Sequence, residues 1–181
     1  MNKRAFRCQV RLSLSDIDRN VYADRVISIA QEPDEPDEHI LLRFLSFVFF
    51  YDERLSDAGG WTQNAEPDLL ADDLIGDVSI IVECGMPQKM KRLVKALGRH
   101  KDARIIVLFA DDQDVSMLRK ELASARARNV DRLEVYQVSG SLMEGLEAVG
   151  SRSMEWSATI NESVLYLDCD GQQLEGGLLA L

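Results

Sequence analysis

The stretch Arg104 to Ala110, RIIVLFA, constrains the fold more than any other. Its apolar residues do not alternate with polar ones, so a strand here has no solvated face. Runs of this kind belong to strands covered on both sides, as in sheets with a helix layer above and below. The flanking sequence supplies those layers. Asp114 to Arg128 carries Val115, Leu118, Leu122 and Ala125 at helical spacing, and Leu133 to Val138 reads as the next strand. A short helix over Ser141 to Val149 follows. A hairpin of Met154 to Ile160 with Val164 to Asp168 turns at Asn161-Glu162-Ser163, and Leu174 to Leu179 is placed as a further strand.

The N-terminal half reads in the same way. Phe6, Cys8, Val10, Leu12 and Leu14 alternate with Arg7, Gln9, Arg11 and Ser13, the pattern of a half-buried strand. Ser15 to Asn20 supplies turn residues, and Tyr22 to Ala30 returns as a second strand. Asp34 is the expected N-cap of a helix running to about Arg54, with Glu35, Asp37 and Glu38 at the positive end of its dipole. That helix is apolar over most of its circumference, which predicts a buried position. The order β-β-α-β-β-α-β-α-β-α-β-β(-β) predicts an α/β fold, a mixed β-sheet flanked by helices, in one domain spanning residues 1–181. No internal repeat interrupts it.

Between these halves, Glu66 to Arg99 concentrates the chemistry. Asp68 and Glu83 stand fifteen residues apart around a turn signal at Gly76. A hairpin centred on Ile75 and Gly76 sets the two carboxylates directly across from each other, with Cβ atoms about 5 Å apart. Like charges so placed repel unless a cation or a proton lies between them. Glu83 follows Ile81 in a β-rich run and should be desolvated, and Cys84 reads as a small core residue. Gly85 and Pro87 end the strand, and a helix spans about Gln88 to Arg99. Met90, Leu93, Val94 and Leu97 form its inner stripe. Gln88, Arg92, Lys95 and Arg99 lie opposite, flanked by Lys89 and Lys91.

Charge sharpens the contrast. The chain carries 31 acidic and 21 basic residues, a net charge of −10, which argues against a general nucleic-acid binder. Yet between Lys89 and Arg104 there are seven Lys or Arg and one acid, Asp102. No apolar run approaches a membrane span, the start MNKRAFRCQV has no signal-like core, and the three cysteines match neither zinc spacing nor a disulfide framework. A reducing cytoplasm is the expected location, with no membrane partner. His39 and His100 show no metal or catalytic partnership. From the residues alone, Glu38 reads first as dipole complementation at an exposed helix end.

A hairpin bearing Asp and then Glu, preceded by a helix and followed by a helix-flanked strand, resembles the core of the PD-(D/E)XK nuclease superfamily. The signature stands here as Pro67-Asp68, fourteen residues, then Glu83-Cys84-Gly85. More of the chain resembles the YaeQ family, a variant of that superfamily. The shared pieces are Ser15-Asp16-Ile17-Asp18-Arg19-Asn20, Glu38-His39-Ile40-Leu41-Leu42-Arg43, Asp52-Glu53-Arg54-Leu55 and Glu66-Pro67-Asp68-Leu69. They continue as Val82-Glu83-Cys84-Gly85-Met86-Pro87, Arg92-Leu93-Val94-Lys95-Ala96 and Ser157-Ala158-Thr159-Ile160.

The resemblance implies a restriction-endonuclease-like core, with Asp68 and Glu83 as ligands of Mg²⁺ or Mn²⁺ and Glu38 joining them from the first core helix. It also implies a lysine two positions after the second acid, where this chain has Gly85. Some superfamily members supply that cation from the following helix, so Lys91, Arg92 and Lys95 are its candidates, with Arg92 and Lys95 matching the family pattern. Two functions follow as expectations. One is metal-dependent phosphodiester hydrolysis of nucleic acid, with Asp68, Glu83, Arg92 and Lys95 as the catalytic set. The other is a non-catalytic protein that binds a protein partner or a nucleic-acid end. Oligomeric state is left open, and a monomer is compatible with everything above.

Overall fold

Arg104–Phe109 lies in the interior of a ten-stranded sheet, paired on both sides. The computed structural model describes residues 5–61, 66–85 and 90–181. Along the chain the elements are β1 (Phe6–Asp16), β2 (Val21–Gln31), α1 (Asp37–Phe49), β3 (Ser56–Asp57), β4 (Leu69–Asp72), β5 (Val78–Cys84) and α2 (Met90–Arg99). They continue as β6 (Arg104–Phe109), α3 (Gln113–Ser124), β7 (Leu133–Val138), α4 (Gly140–Val149), β8 (Ser153–Asn161), β9 (Val164–Cys169) and β10 (Gln172–Ala180). The expected helix start at Gln88 and its flank Lys89 lie outside the described residues.

The strand order is β2-β1-β8-β9-β10-β7-β6-β5-β4-β3. β5, β6 and β7 run parallel, β4 is antiparallel to β5, and β10 is antiparallel to β7. On the far side β1 pairs in parallel with β8 and antiparallel with β2. The fold is therefore mixed α/β, as the pattern of segments predicts.

Side-chain alternation divides the parallel core between two hydrophobic clusters. Ile80, Val82 and Cys84 join Ile106 and Leu108 in the cluster built around α1 and α4. Ile81 joins Ile105, Val107 and Phe109 against α2 and α3. A strand with both faces buried carries no polar alternation, which is why 104–109 reads as a continuous apolar run. The β1 and β8 strands bury one face only. Val10, Leu12 and Leu14 pack inward with Met154, Trp156 and Ala158, while Arg11 and Glu155 face out.

Helix α1 is shorter at both ends than its composition suggests. Its N-cap position is Pro36, not Asp34. Each residue preceding a proline is pushed out of the helical region, so the Pro33 and Pro36 pair delays the helix until Asp37. At the other end the helix stops at Phe49, because Asp52 turns its carboxylate onto the Arg54 N–H at 2.8 Å. Such local side-chain bonds compete with helical ones. The Arg25 guanidinium fixes this turn by donating to the carbonyls of Asp52 and Leu55. Every residue from His39 to Val48 is buried, so α1 is the central helix. No helix among the described residues is long and apolar enough to cross a membrane.

Candidate functional site: two buried carboxylates beneath a basic helix

The pairing of β4 with β5 runs Leu69 to Val82, Leu70 to Ile81 and Ala71 to Ile80. Extended one step, it sets Asp68 level with Glu83, in agreement with a hairpin centred on Ile75 and Gly76. Both carboxylates are buried, at 2% and 1% exposure. They do not share a counter-ion. Asp68 lies just before the first paired residue of β4, where strand alternation no longer dictates its direction, and it turns toward α1. Glu83 obeys the alternation of β5 and points, like Ile81, toward α2.

Asp68 is held by two groups. Its Oδ2 accepts the Cys84 N–H at 2.7 Å, and its Oδ1 lies 3.4 Å from His39 Nε2. That second separation lets the charges attract but leaves Oδ1 with no hydrogen-bond donor among the described residues. Burial alone would push the Asp68 carboxyl up; His39 and the Cys84 N–H outweigh it and hold the carboxyl below its usual range.

His39 belongs to a longer ladder. Its Nδ1 meets Glu35 Oε1 at 2.5 Å, and the same oxygen accepts from Arg43 Nη1 at 2.7 Å. Arg43 Nη2 in turn bonds the carboxylate of Asp57 on β3. Charges therefore alternate through Asp57, Arg43, Glu35, His39 and Asp68. Burial favours the neutral imidazole, but the two flanking carboxylates raise the His39 pKa to about 9, so it is an imidazolium at neutral pH. The Trp61 ring packs on it with centroids 4.7 Å apart.

Glu83 meets Arg92, one turn into the described part of α2. Arg92 Nε donates to Oε1 at 2.7 Å and Nη2 bonds Oε2, a two-point grip on both oxygens. The remaining Nη1 donates to the Gly60 carbonyl at 3.0 Å. Burial outweighs the opposing pull of Arg92 and, with the nearby charge of Asp68, raises the Glu83 carboxyl to about 7. The like-charge conflict legible in the sequence is thus resolved by two separate cations, His39 on one face and Arg92 on the other.

Above Glu83 opens a cleft of about 550 Å³. Lys91, Lys95 and Arg99 of α2 line one side, and Leu70, Val78 and Ile81 of the hairpin line the other. Lys95 and Arg92 therefore reach the same cleft as Glu83, while Asp68 sits behind it. Among the described residues, no group of three or more His, Cys, Asp or Glu is arranged to hold a metal ion.

Glu38 is placed elsewhere. Its side chain is exposed and borders a separate cavity with Glu147 and Arg152. What burial it has, together with the charges of Glu147, Asp111 and Asp114, pushes its carboxyl up. The acid brought toward Asp68 is Glu35, in the segment just before α1, through His39: the helix starts two residues later than expected, and its buried face carries His39 and Arg43. The signal in the sequence is the i, i+4, i+8 spacing of Glu35, His39 and Arg43, a ladder along one side of the chain.

Gly85, where the resemblance implies a lysine, has φ +67°, a left-handed conformation that side chains other than glycine resist. The backbone, as much as the missing amine, distinguishes this position.

Comparison with known proteins places these features in a lineage. Over 170 residues the chain is 27% identical to YaeQ of Escherichia coli (strain K12), covering 93% of this chain and 91% of that protein. The crystal structure of YaeQ protein from Xanthomonas axonopodis pv. citri superposes with a TM-score of 0.81 at 29% identity, covering 97% of each chain. That of YaeQ protein from Pseudomonas syringae gives 0.84 at 26% identity, covering 98% of this chain and 96% of that one. The family model described as YaeQ protein matches residues 1–177, and the chain belongs to the YaeQ family.

Proposed function

We propose that this chain is a nuclease-like protein of the PD-(D/E)XK type that takes a divalent cation, Mg²⁺ or Mn²⁺, at Asp68 and Glu83 and hydrolyses a phosphodiester of nucleic acid. The observation that carries this reading is Asp68 Oδ1, a buried carboxylate oxygen without a hydrogen-bond donor among the described residues. Buried acceptors are nearly always satisfied. Beside it stands a second buried carboxylate, and paired carboxylate oxygens suit hard cations. Such an ion would take the free oxygen of Asp68 and would require Glu83, held at both oxygens by Arg92 on the opposite face, to release one of them and turn toward it. When bound, the ion would polarise a phosphoryl oxygen and lower the pKa of water.

The chain's own residues prepare this site. The Cys84 N–H fixes the direction of Asp68, and the His39 imidazolium keeps it ionised. Lys95, on the cleft wall, presents positive charge to a phosphate, in the role that Gly85 leaves without a side chain. The mixed sheet, with its Asp–Glu hairpin beside three parallel strands and helices on both faces, supports the superfamily assignment.

A second reading, binding of a nucleic-acid end or a protein partner without hydrolysis, is favoured by Arg92 filling both oxygens of Glu83. One experiment separates the two. Thermal unfolding is measured with and without millimolar Mn²⁺, alongside incubation with single-stranded, duplex and branched DNA and RNA. A raised melting temperature, lost in Asp68→Asn, with cleavage also lost in that variant supports hydrolysis. A shift without cleavage supports the second reading. No shift overturns the metal site.

A further inference from the structure

We propose that the α2 cleft binds a single nucleic-acid strand, its phosphates on the Lys91–Lys95–Arg99 row and its unpaired bases on the half-buried apolar side chains of Leu70 and Val78. This rests on the reading of the cleft as a phosphate site and names the ligand class it takes.

Lys91, Lys95 and Arg99 stand at i, i+4 and i+8 and so share one side of α2. At 1.5 Å per residue the row is about 12 Å long. A stacked strand advances about 3.4 Å per phosphate, so the row matches three to four successive phosphates.

Arg92, the remaining cation of the cleft, is spent on Glu83 and on the Gly60 carbonyl. By contrast, none of Lys91, Lys95 and Arg99 takes part in an ion pair or side-chain hydrogen bond among the described residues. Three cations thus line the rim of a cleft in a chain whose net charge is −10.

The opposite wall of the cleft favours one strand over two. The wall facing the row presents Leu70 and Val78, both only half-buried, with the exposed Glu66 at its edge. Duplexes keep their base faces stacked inside, so an apolar wall beside the phosphates has nothing to receive. A single strand exposes those faces and buries them on contact. Acidic surface outside the cleft also repels a duplex more strongly, because a duplex carries a charge every 1.7 Å or so against about 3.4 Å for one of its strands.

The test is fluorescence anisotropy of a labelled eight-nucleotide oligothymidylate against a duplex of equal length. It is run in EDTA so that it stands apart from the metal reading. The single strand is expected to bind at least ten-fold more tightly than the duplex, with a slope of log K against log salt of about −2 to −3. Lys95→Glu with Arg99→Glu should weaken binding at least ten-fold and flatten the slope at an unchanged melting temperature. Val78→Ser should weaken binding with the slope retained. Equal or tighter duplex binding, equal competition by a polyglutamate of matched charge, or indifference to Lys95→Glu with Arg99→Glu overturns the proposal. Cleavage with Mn²⁺ alongside any of these would leave the metal site standing and remove the strand-binding row alone.

Discussion

His39 Nε2 stands 3.4 Å from Asp68 Oδ1, close enough for the charges to attract and too far to satisfy the oxygen. Its other nitrogen is 2.5 Å from Glu35. One imidazolium thus balances two buried carboxylates from segments far apart in sequence, and its charge is part of what holds the fold.

The pH dependence of stability follows. His39 titrates near 9 in the folded protein and near 6.5 when unfolded. A raised histidine pKa gives stability that is complete below the unfolded value and is lost as pH rises toward the folded one. Glu83, raised to about 7 by burial, acts in the same direction between about 4.5 and 7. Below that range Asp68 and Glu35, both held low, lose their stabilisation on protonation. Urea midpoints should therefore peak in weakly acidic solution and fall steadily to pH 9. His39→Gln should flatten the limb between pH 6.5 and 9.

Glu35 and Glu38, three residues apart, should behave in opposite ways. Glu35→Gln leaves Arg43 buried with half its compensation and should cost about 3–5 kcal/mol in urea unfolding. Glu38→Gln removes an exposed charge that faces Glu147, Asp111 and Asp114 and should lie within about 0.5 kcal/mol of the parent. Equal losses at the two positions would place both acids in the same environment, contrary to this structure.

Arg92 and Glu83 should couple in a double-mutant cycle. Arg92→Gln strands a buried carboxylate and should destabilise by about 3–5 kcal/mol. Glu83→Gln should be similarly costly, because it leaves the guanidinium unpaired. Replacing both with methionine should recover most of the loss, since a packed apolar pair of similar volume is often as stable as a buried ion pair. Additive losses would show that the two side chains act independently.

Two glycines carry different constraints. A Cβ at Gly60 would fall 2.5 Å from the Pro67 backbone, so Gly60→Ala should disrupt the approach of the two segments and the Arg92 bond to the Gly60 carbonyl. At Gly85 the nearest atom is His39 Cδ2 at 3.9 Å, so space is available and only the backbone resists. Gly85→Lys should therefore fold with a loss of about 1–2 kcal/mol. Unfolding curves of both variants check the order.

Among the described residues, the sequence alone determined the four helices, nine strands and the main faces they bury, down to the level placement of Asp68 and Glu83, but neither the two-residue β3 nor the ends of α1. Those features are local: a strand alternates every two residues, a helix repeats every 3.6, and a hairpin's register follows from counting outward from its turn. It did not determine which cation each carboxylate meets. The Pro33 and Pro36 pair delays α1, and that delay, with the helix's packing against β5, turns His39 and Arg43 toward Asp68 and leaves Glu38 in solvent. The same packing sends Glu83 to Arg92 on the opposite face. Charge pairing in a desolvated interior depends on contacts between segments distant in the chain, and only the tertiary structure supplies them.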